Sequence, residues 1–352
     1  MKGKAVVFTD RLQVKYQDVD IPDPGEHDVV VEVEYSWISI GTESSYLRGE
    51  RISGETAYQT GDPWPFPIAA GYQKVGVITA AGRNVRDLQA GDQVFAATSR
   101  ISGMFNLTGG HINPAVTHES QVWKLPAGSG GAGLAQGAPY SARVPAAVGG
   151  GRSAAAFAGM VLTQVGYNCG SRAPVKHGDR AVVIGDGLVG HWSAQTLTHR
   201  GAQVIMLGRH ASRLAYADPR VQCVDLSNAD VGNILSASGP VSAVIDTVGS
   251  MQAVEQIMPF MERDSHIVSA GFLGTAGIVD IQKLRLKEMT LHTPSGWTKA
   301  RMDETLKGID EGWLKTEPLI THRFPAERAG EAWETILHEK QACLGVILDW
   351  RN

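Results

Sequence analysis

Three glycines spaced Gly185-x-Gly187-x-x-Gly190 follow an apolar run, Ala181–Ile184, and open a segment with helix-compatible spacing that closes at Gly201. A second apolar run, Val204–Leu207, comes next. Strand, glycine turn, helix and strand in this order form the βαβ context in which such glycines cradle a dinucleotide. Gly185 allows the tight turn, Gly187 lets the backbone approach a pyrophosphate, and Gly190 lets the helix pack closely on the strand. The phosphates would rest on the free N–H groups around Leu188 and Val189, where the helix macrodipole favours negative charge. A tight βα turn with no ligand is the plain alternative.

The end of the second strand bears on which dinucleotide is bound. A site that prefers NAD places Asp or Glu about 20 residues beyond the glycines, to hold the ribose 2′-hydroxyl. Here that stretch reads Leu207-Gly208-Arg209-His210, with Arg213 following and no carboxylate. Guanidinium groups pair with a 2′-phosphate in bidentate fashion, so NADP is expected and NAD stays possible. Otherwise Arg209 is a solvated residue, or one that stacks on adenine without discriminating.

These residues need a framework, and the chain has the length for it. Its 352 residues allow two domains with full cores. A net charge of −4 and no Lys/Arg cluster argue against a nucleic-acid partner. No apolar run approaches the ~20 residues that span a bilayer, and Met1–Asp10 reads as a strand rather than a secretory leader. Cys169, Cys223 and Cys343 are odd in number and far apart, which suits a reducing cytoplasm and neither a disulfide framework nor a CxxC metal site.

Residues 1 to about 125 read as β-rich, with short alternating or β-branched runs between turn signals such as Pro-Asp-Pro-Gly. Ala127–Gly151, rich in Gly, Ala and Ser, reads as a loop or hinge. From about 155 to 300 strands and helices alternate, the pattern of a doubly wound parallel sheet. Ala243–Ile245 running into Thr247-Val248, and His266–Ala270 running into Gly271-Phe272, look like strand ends that open on a ligand crevice. Past Pro318 come Thr321–Phe324, a helix near Ala326–Glu339 and a last strand, Leu344–Trp350.

The blocks GDRAVVIGDGLVG, GAQVIMLGR and PLITHRF, in that order, resemble the medium-chain dehydrogenase/reductase superfamily, the alcohol dehydrogenase and quinone reductase group. The likeness spans essentially the whole chain. It implies an α/β fold in which a Rossmann dinucleotide-binding domain, 154–315, is inserted into a β-rich, GroES-like catalytic domain, 1–153 with 316–352. It also implies a homodimer or homotetramer acting on a small-molecule substrate.

Zinc-dependent members hold the metal with a Cys, a His in a Gly-His-Glu step, and a Cys or Glu entering the nucleotide domain. Ile40-Gly41-Thr42-Glu43 stands in the first frame, Gly71-Tyr72-Gln73 in the second, and Phe157 in the third. Isoleucine and phenylalanine have no lone pair, and neutral tyrosine is a poor zinc ligand. No cysteine lies between Met1 and Asn168, so the four-cysteine structural zinc lobe is also missing. No zinc is expected. The Gly-Thr-Glu and Gly-Tyr-Gln frames are similar to a hydroxyethyl bacteriochlorophyllide dehydrogenase-like subgroup, though Ser53–Asp62 reads as extra.

Hydride transfer without a metal needs hydrogen-bond donors for the substrate oxygen. By the resemblance Thr42 stands at the family's proton-relay hydroxyl. Tyr72 stands at a zinc-ligand position, where its phenol donates, or accepts if its pKa is depressed; otherwise it fills the vacated hole. Glu43 is a carboxylate near the chemistry or, preferably, a structural ion-pair partner. His111, after Gly109-Gly110, is an acid/base candidate or a satisfied loop histidine. Trp37, Ile40, Tyr46, Phe105, Phe157 and Trp297 are candidate pocket walls, each also explicable as core. The nicotinamide end is expected near Thr163, Thr247, Val248, Ala270, Gly271 and Phe272.

Three readings follow. The first is a zinc-independent NAD(P)-dependent oxidoreductase of a secondary alcohol or ketone on a polar or ring substrate. The others are a zinc-free NADPH-dependent reductase of activated C=C bonds or quinones, and an inert cofactor-binding protein.

Overall fold

A computed structural model gives the structure of residues 1–49, 51–52, 56–57, 66–104, 108–129, 152–271, 279–339 and 343–351. The chain opens with β1 (Lys2–Asp10), β2 (Gln13–Asp20), β3 (Asp28–Trp37) and α1 (Ile40–Leu47). Then come β4 (Arg51–Ile52), β5 (Thr56–Ala57), β6 (Ile68–Ala69), β7 (Lys74–Ala81) and β8 (Gln93–Ala96). β9 (Ile112–Asn113), β10 (Ala115–His118), β11 (Val122–Lys124) and the one-turn helix α2 (Ala154–Phe157) follow. Alternation then begins with α3 (Met160–Arg172), β12 (Arg180–Ile184), α4 (Leu188–His199), β13 (Gln203–Gly208), α5 (Ala211–Leu214) and β14 (Gln222–Asp225). It continues through α6 (Val231–Ser238), β15 (Val241–Asp246), α7 (Met251–Ile257), β16 (Met261–Ser269), α8 (Ile281–Arg285), β17 (Thr290–His292) and α9 (Lys299–Asp310). The chain ends in β18 (Ile320–Pro325), α10 (Ala329–His338) and β19 (Gly345–Asp349).

Two compact units result: Met1–Val161 with Thr316–Asn352, and Leu162–Lys315. The first crossing falls after Val161 rather than at residue 153. Buried α2 explains the shift, because it packs on β3 and β7 of the first unit.

In the first unit β3 carries the main sheet. It pairs with β7 along most of its length, with β10 at Val29–Val31, and with β19 at Tyr35–Trp37. The returning C-terminus thus closes the sheet in the order β11-β8-β7-β3-β19-β18. A smaller sheet, β2-β1-β6 with β9 on β1, packs its apolar face into the same core as Trp333 and Ile336 of α10.

The second unit is a six-stranded parallel sheet, β14-β13-β12-β15-β16-β17, the doubly wound order with its switch point between β12 and β15. The run Ala181–Ile184 is apolar at every position because both faces of β12 are covered. Ala181 and Val183 pack with Cys169 and Leu197, whereas Val182 and Ile184 pack with Leu235 and Ile257. Among the described residues no helix is long and apolar enough to cross a membrane.

Candidate functional site

In the second unit the turn from β12 to α4 requires glycine at two places for reasons internal to the protein. Gly185 has φ +119°, and a Cβ on Gly190 would lie 2.1 Å from the Gly185 carbonyl oxygen. Gly187 differs. It is the N-cap of α4 with no side-chain cap, and a Cβ built there meets nothing within 4 Å. The fold does not need a glycine at that point, but an incoming phosphate does. Leu188 and Val189, half-buried, carry the adjoining N–H groups. This open cradle fits a dinucleotide.

The neighbouring strand end is also held. Asp246, fully buried at the end of β15, accepts N–H bonds from Val248 (3.0 Å), Gly249 (3.0 Å) and Ser250 (2.9 Å). Thr247 Oγ1 donates to the Ile184 carbonyl at 2.7 Å, so its hydroxyl ties β15 to β12. Val248 is left exposed, and Ala270 and Gly271 are partly so. Thr163 is fully buried in α3. Phe272 lies outside the described residues.

At the end of β13 the structure supplies a carboxylate that the spacing argument missed. Asp186, from the glycine turn itself, accepts the N–H groups of Arg209 (2.7 Å) and His210 (2.9 Å) and meets the His210 imidazole. Arg213, 11 % exposed, points to it at 3.5 Å. His210 and Arg213 thus both face the Asp186 carboxylate. Arg209 is exposed.

In the first unit three hydroxyls converge. Ser39, the N-cap of α1, makes no side-chain cap; instead Tyr72 Oη donates to its Oγ at 2.6 Å. Thr42, one turn into α1, also hydrogen-bonds Tyr72. Ser39 is 2 % exposed, whereas Thr42 and Tyr72 are half-buried. Burial pushes the Tyr72 phenol up to about 12, and the charge of Glu43 adds to this against the hydrogen bonds from Ser39 and Thr42. With no cofactor bound, Tyr72 is a neutral phenol that donates to Ser39.

Glu43 and His111 lie beneath this cluster. Glu43 accepts the Ser39 N–H at 2.6 Å, the half of a capping box in which a first-turn carboxylate reaches back to the N-cap backbone. Its other oxygen lies 2.8 Å from His111 Nε2, and His111 Nδ1 lies 2.8 Å from Ser36 Oγ, which accepts from Trp350 Nε1. With a proton on Nε2 every polar atom along this chain is paired. The His111 ring is 0 % exposed and sits edge-on to Trp333, so it does not line an open pocket. Glu43 is thus hydrogen-bonded to His111 and to the Ser39 N–H inside the protein.

Another buried group went unnoticed in the sequence. Lys74, 0 % exposed, donates to the carbonyls of Ala97 (2.7 Å) and Gly109 (3.0 Å), and burial lowers its pKa to about 7. It holds the loop on which Tyr72 is seated: a Cβ on Gly110 would lie 2.1 Å from the Tyr72 nitrogen. An isolated lysine in a strand carries no sequence signal for this.

Of the expected pocket walls, Trp37 and Phe157 are fully buried, and Trp37 abuts Gly159 and Gly345. Ile40 and Tyr46 are partly buried against the core, Trp297 is half-buried in the second unit, and Phe105 lies outside the described residues. At the three zinc frames stand a partly buried isoleucine, a phenol bonded to serine and a core phenylalanine. This donor set does not fit zinc. Among the described residues no group of three or more His, Cys, Asp or Glu is placed to hold a metal.

A parallel sheet with an open glycine cradle, inserted into a β-rich unit that both chain ends complete, defines a dehydrogenase of the medium-chain architecture. Comparison with known proteins agrees, although no family model matches the chain. The 2-desacetyl-2-hydroxyethyl bacteriochlorophyllide A dehydrogenase of Rhodobacter capsulatus is 25 % identical, covering 100 % of this chain and 99 % of its own. Among solved structures, an oxidoreductase/dehydrogenase of unknown specificity from Escherichia coli superposes with TM-score 0.81 at 19 % identity, covering 100 % of both chains. The alcohol dehydrogenase of E. coli CFT073 solved with NADH gives 0.79 at 19 %, covering 99 % of each. Over its whole length the chain is similar to medium-chain, alcohol dehydrogenase-like proteins.

Proposed function

We propose that this chain is an NADP-preferring oxidoreductase that interconverts a secondary alcohol and a ketone on a polar or ring-shaped small molecule, without zinc. One observation carries the reading. At one of the positions where relatives of zinc type hold the metal, this chain has Tyr72, a neutral phenol that hydrogen-bonds Ser39 and Thr42.

The bound dinucleotide would supply or take up the hydride. The chain's residues do the rest. Gly187 and the N–H groups of Leu188 and Val189 bind the pyrophosphate, and exposed Arg209 meets the 2′-phosphate. Tyr72 and Thr42 offer hydrogen bonds to the substrate oxygen, which do the polarising work of a Lewis acid. In reduction a proton passes from this cluster to the alkoxide oxygen; in oxidation it returns. Ser39 and Glu43 keep Tyr72 in place. A homodimer or homotetramer is the expected assembly, checked by light scattering.

The test is NADPH consumption against a panel of ketones, in parallel with a panel of enones and quinones. Turnover of ketones supports the proposal. Turnover of enones or quinones alone replaces it with reduction of activated double bonds, and cofactor binding without turnover marks an inert binding protein.

A further inference from the structure

We infer that Asp186 is a positioning residue for cofactor choice: it holds Arg209 in the conformation that reads the adenosine 2′-phosphate. This deepens the cofactor reading above and rests on it.

Asp186 lies between the first two fingerprint glycines, yet it acts 23 residues downstream in sequence. Its Oδ2 accepts the N–H of Arg209 at 2.7 Å and that of His210 at 2.9 Å, which fixes the backbone just past β13. The carboxylate comes this close because residue 208 is glycine: a Cβ there would stand 2.7 Å from Asp186 Cβ and Oδ2. A carboxylate beside a phosphate site would ordinarily repel it. Here the charge is answered from within the protein, by His210 Nδ1 at 3.0 Å and Arg213 Nη1 at 3.5 Å. Hydrogen bonds from His210 and from both N–H groups hold the carboxyl below its usual range, although burial acts the other way.

The other titratable groups at this turn do not disturb that balance. Burial pushes His191 down to about 4, so it is neutral near pH 7, and its Nε2 has no partner. Asp225, paired in register with Gly208 on β14, has its carboxylate turned to Ser227 and Asn228. His210 and Arg213 face Asp186, whereas Arg209 is exposed to an incoming ligand. Its backbone is locked and its guanidinium is free to swing.

The experiment measures NADPH and NADH affinity by fluorescence titration of the full chain, as wild type, D186N, D186A, R209A and D186A/R209A. Asparagine keeps an oxygen that accepts the two N–H bonds; alanine does not. D186A is expected to weaken NADPH by about tenfold or more, the worth of a fixed charged hydrogen bond, with NADH little changed. R209A should match it, the double variant should lose no more than either alone, and D186N should keep the wild-type ratio.

Tighter NADPH binding by both D186N and D186A would overturn the inference, because the carboxylate would then be excluding the phosphate. Equal weakening of both cofactors in D186A, or additive losses in the double variant, would overturn it too. Wild type that prefers NADH removes the 2′-phosphate reading and with it this role. Wild type that binds neither cofactor sinks the dinucleotide assignment itself, a separately recognisable result.

Discussion

Tyr72 and Lys74 sit two residues apart and are perturbed in opposite senses, both by burial. The Tyr72 phenol, raised to about 12, stays protonated across the range in which enzymes work. In Tyr72→Phe, kcat is expected to fall about 10²- to 10³-fold, the usual cost of losing one donor to a developing oxyanion, with cofactor affinity unchanged. The pH profile of kcat should show no alkaline limb below pH 10 that depends on Tyr72; a limb near pH 8 that vanishes in the variant would contradict the donor role.

Lys74 carries a stability signature of its own. The unfolded chain binds its proton below about 10.5 and the folded chain below about 7, so unfolded molecules hold more protons between those values. Stability therefore rises as pH climbs through this window, by up to about 1.4 kcal/mol per pH unit. Denaturant titrations at several pH values should show that rise in wild type and a flatter curve in Lys74→Met. A parallel pair of curves would mean that Lys74 is charged in its cavity. Glu43 and His111 are another matter, since removing one partner strands the other in the core. Glu43→Ala should cost about 1–3 kcal/mol in unfolding free energy, the cost of a buried donor left unpaired.

At the scale of the element, the β12–α4 turn separates glycines that fold the protein from the one that serves a ligand. Gly187→Leu should leave the melting temperature near wild type and abolish dinucleotide binding, because a Cβ there meets nothing within 4 Å and the side chain would occupy the phosphate's place. Gly190→Val should lower the melting temperature, because its Cβ collides with the Gly185 carbonyl. Equal thermal damage from both would remove the distinction. Helix α1 departs from local rules in an instructive way. Ser39 stands at the N-cap, where serine normally bonds the first turn, but gives its hydroxyl to Tyr72 while Glu43 reaches back instead. Such a breach of local preference marks a place where function has a claim.

For the whole molecule the prediction concerns metal. The protein isolated without chelator should contain well below one zinc per chain by elemental analysis, and its oxidoreductase activity should survive chelation. Stoichiometric zinc, or activity lost to chelator and restored by zinc, would sink the metal-free mechanism.

The sequence by itself determined the periodic and local features. Apolar runs gave β12 and β13, and the glycine spacing gave the turn between them. These are legible because strand burial and turn geometry depend on residue type and short spacing. Only the tertiary structure decided which polar groups meet. Asp186 reaches Arg209, Glu43 reaches His111 across 68 positions, and Lys74 reaches Gly109 across 35. No period or motif encodes such pairings, because they form when sheet and loop geometry buries groups that water had satisfied in the open chain.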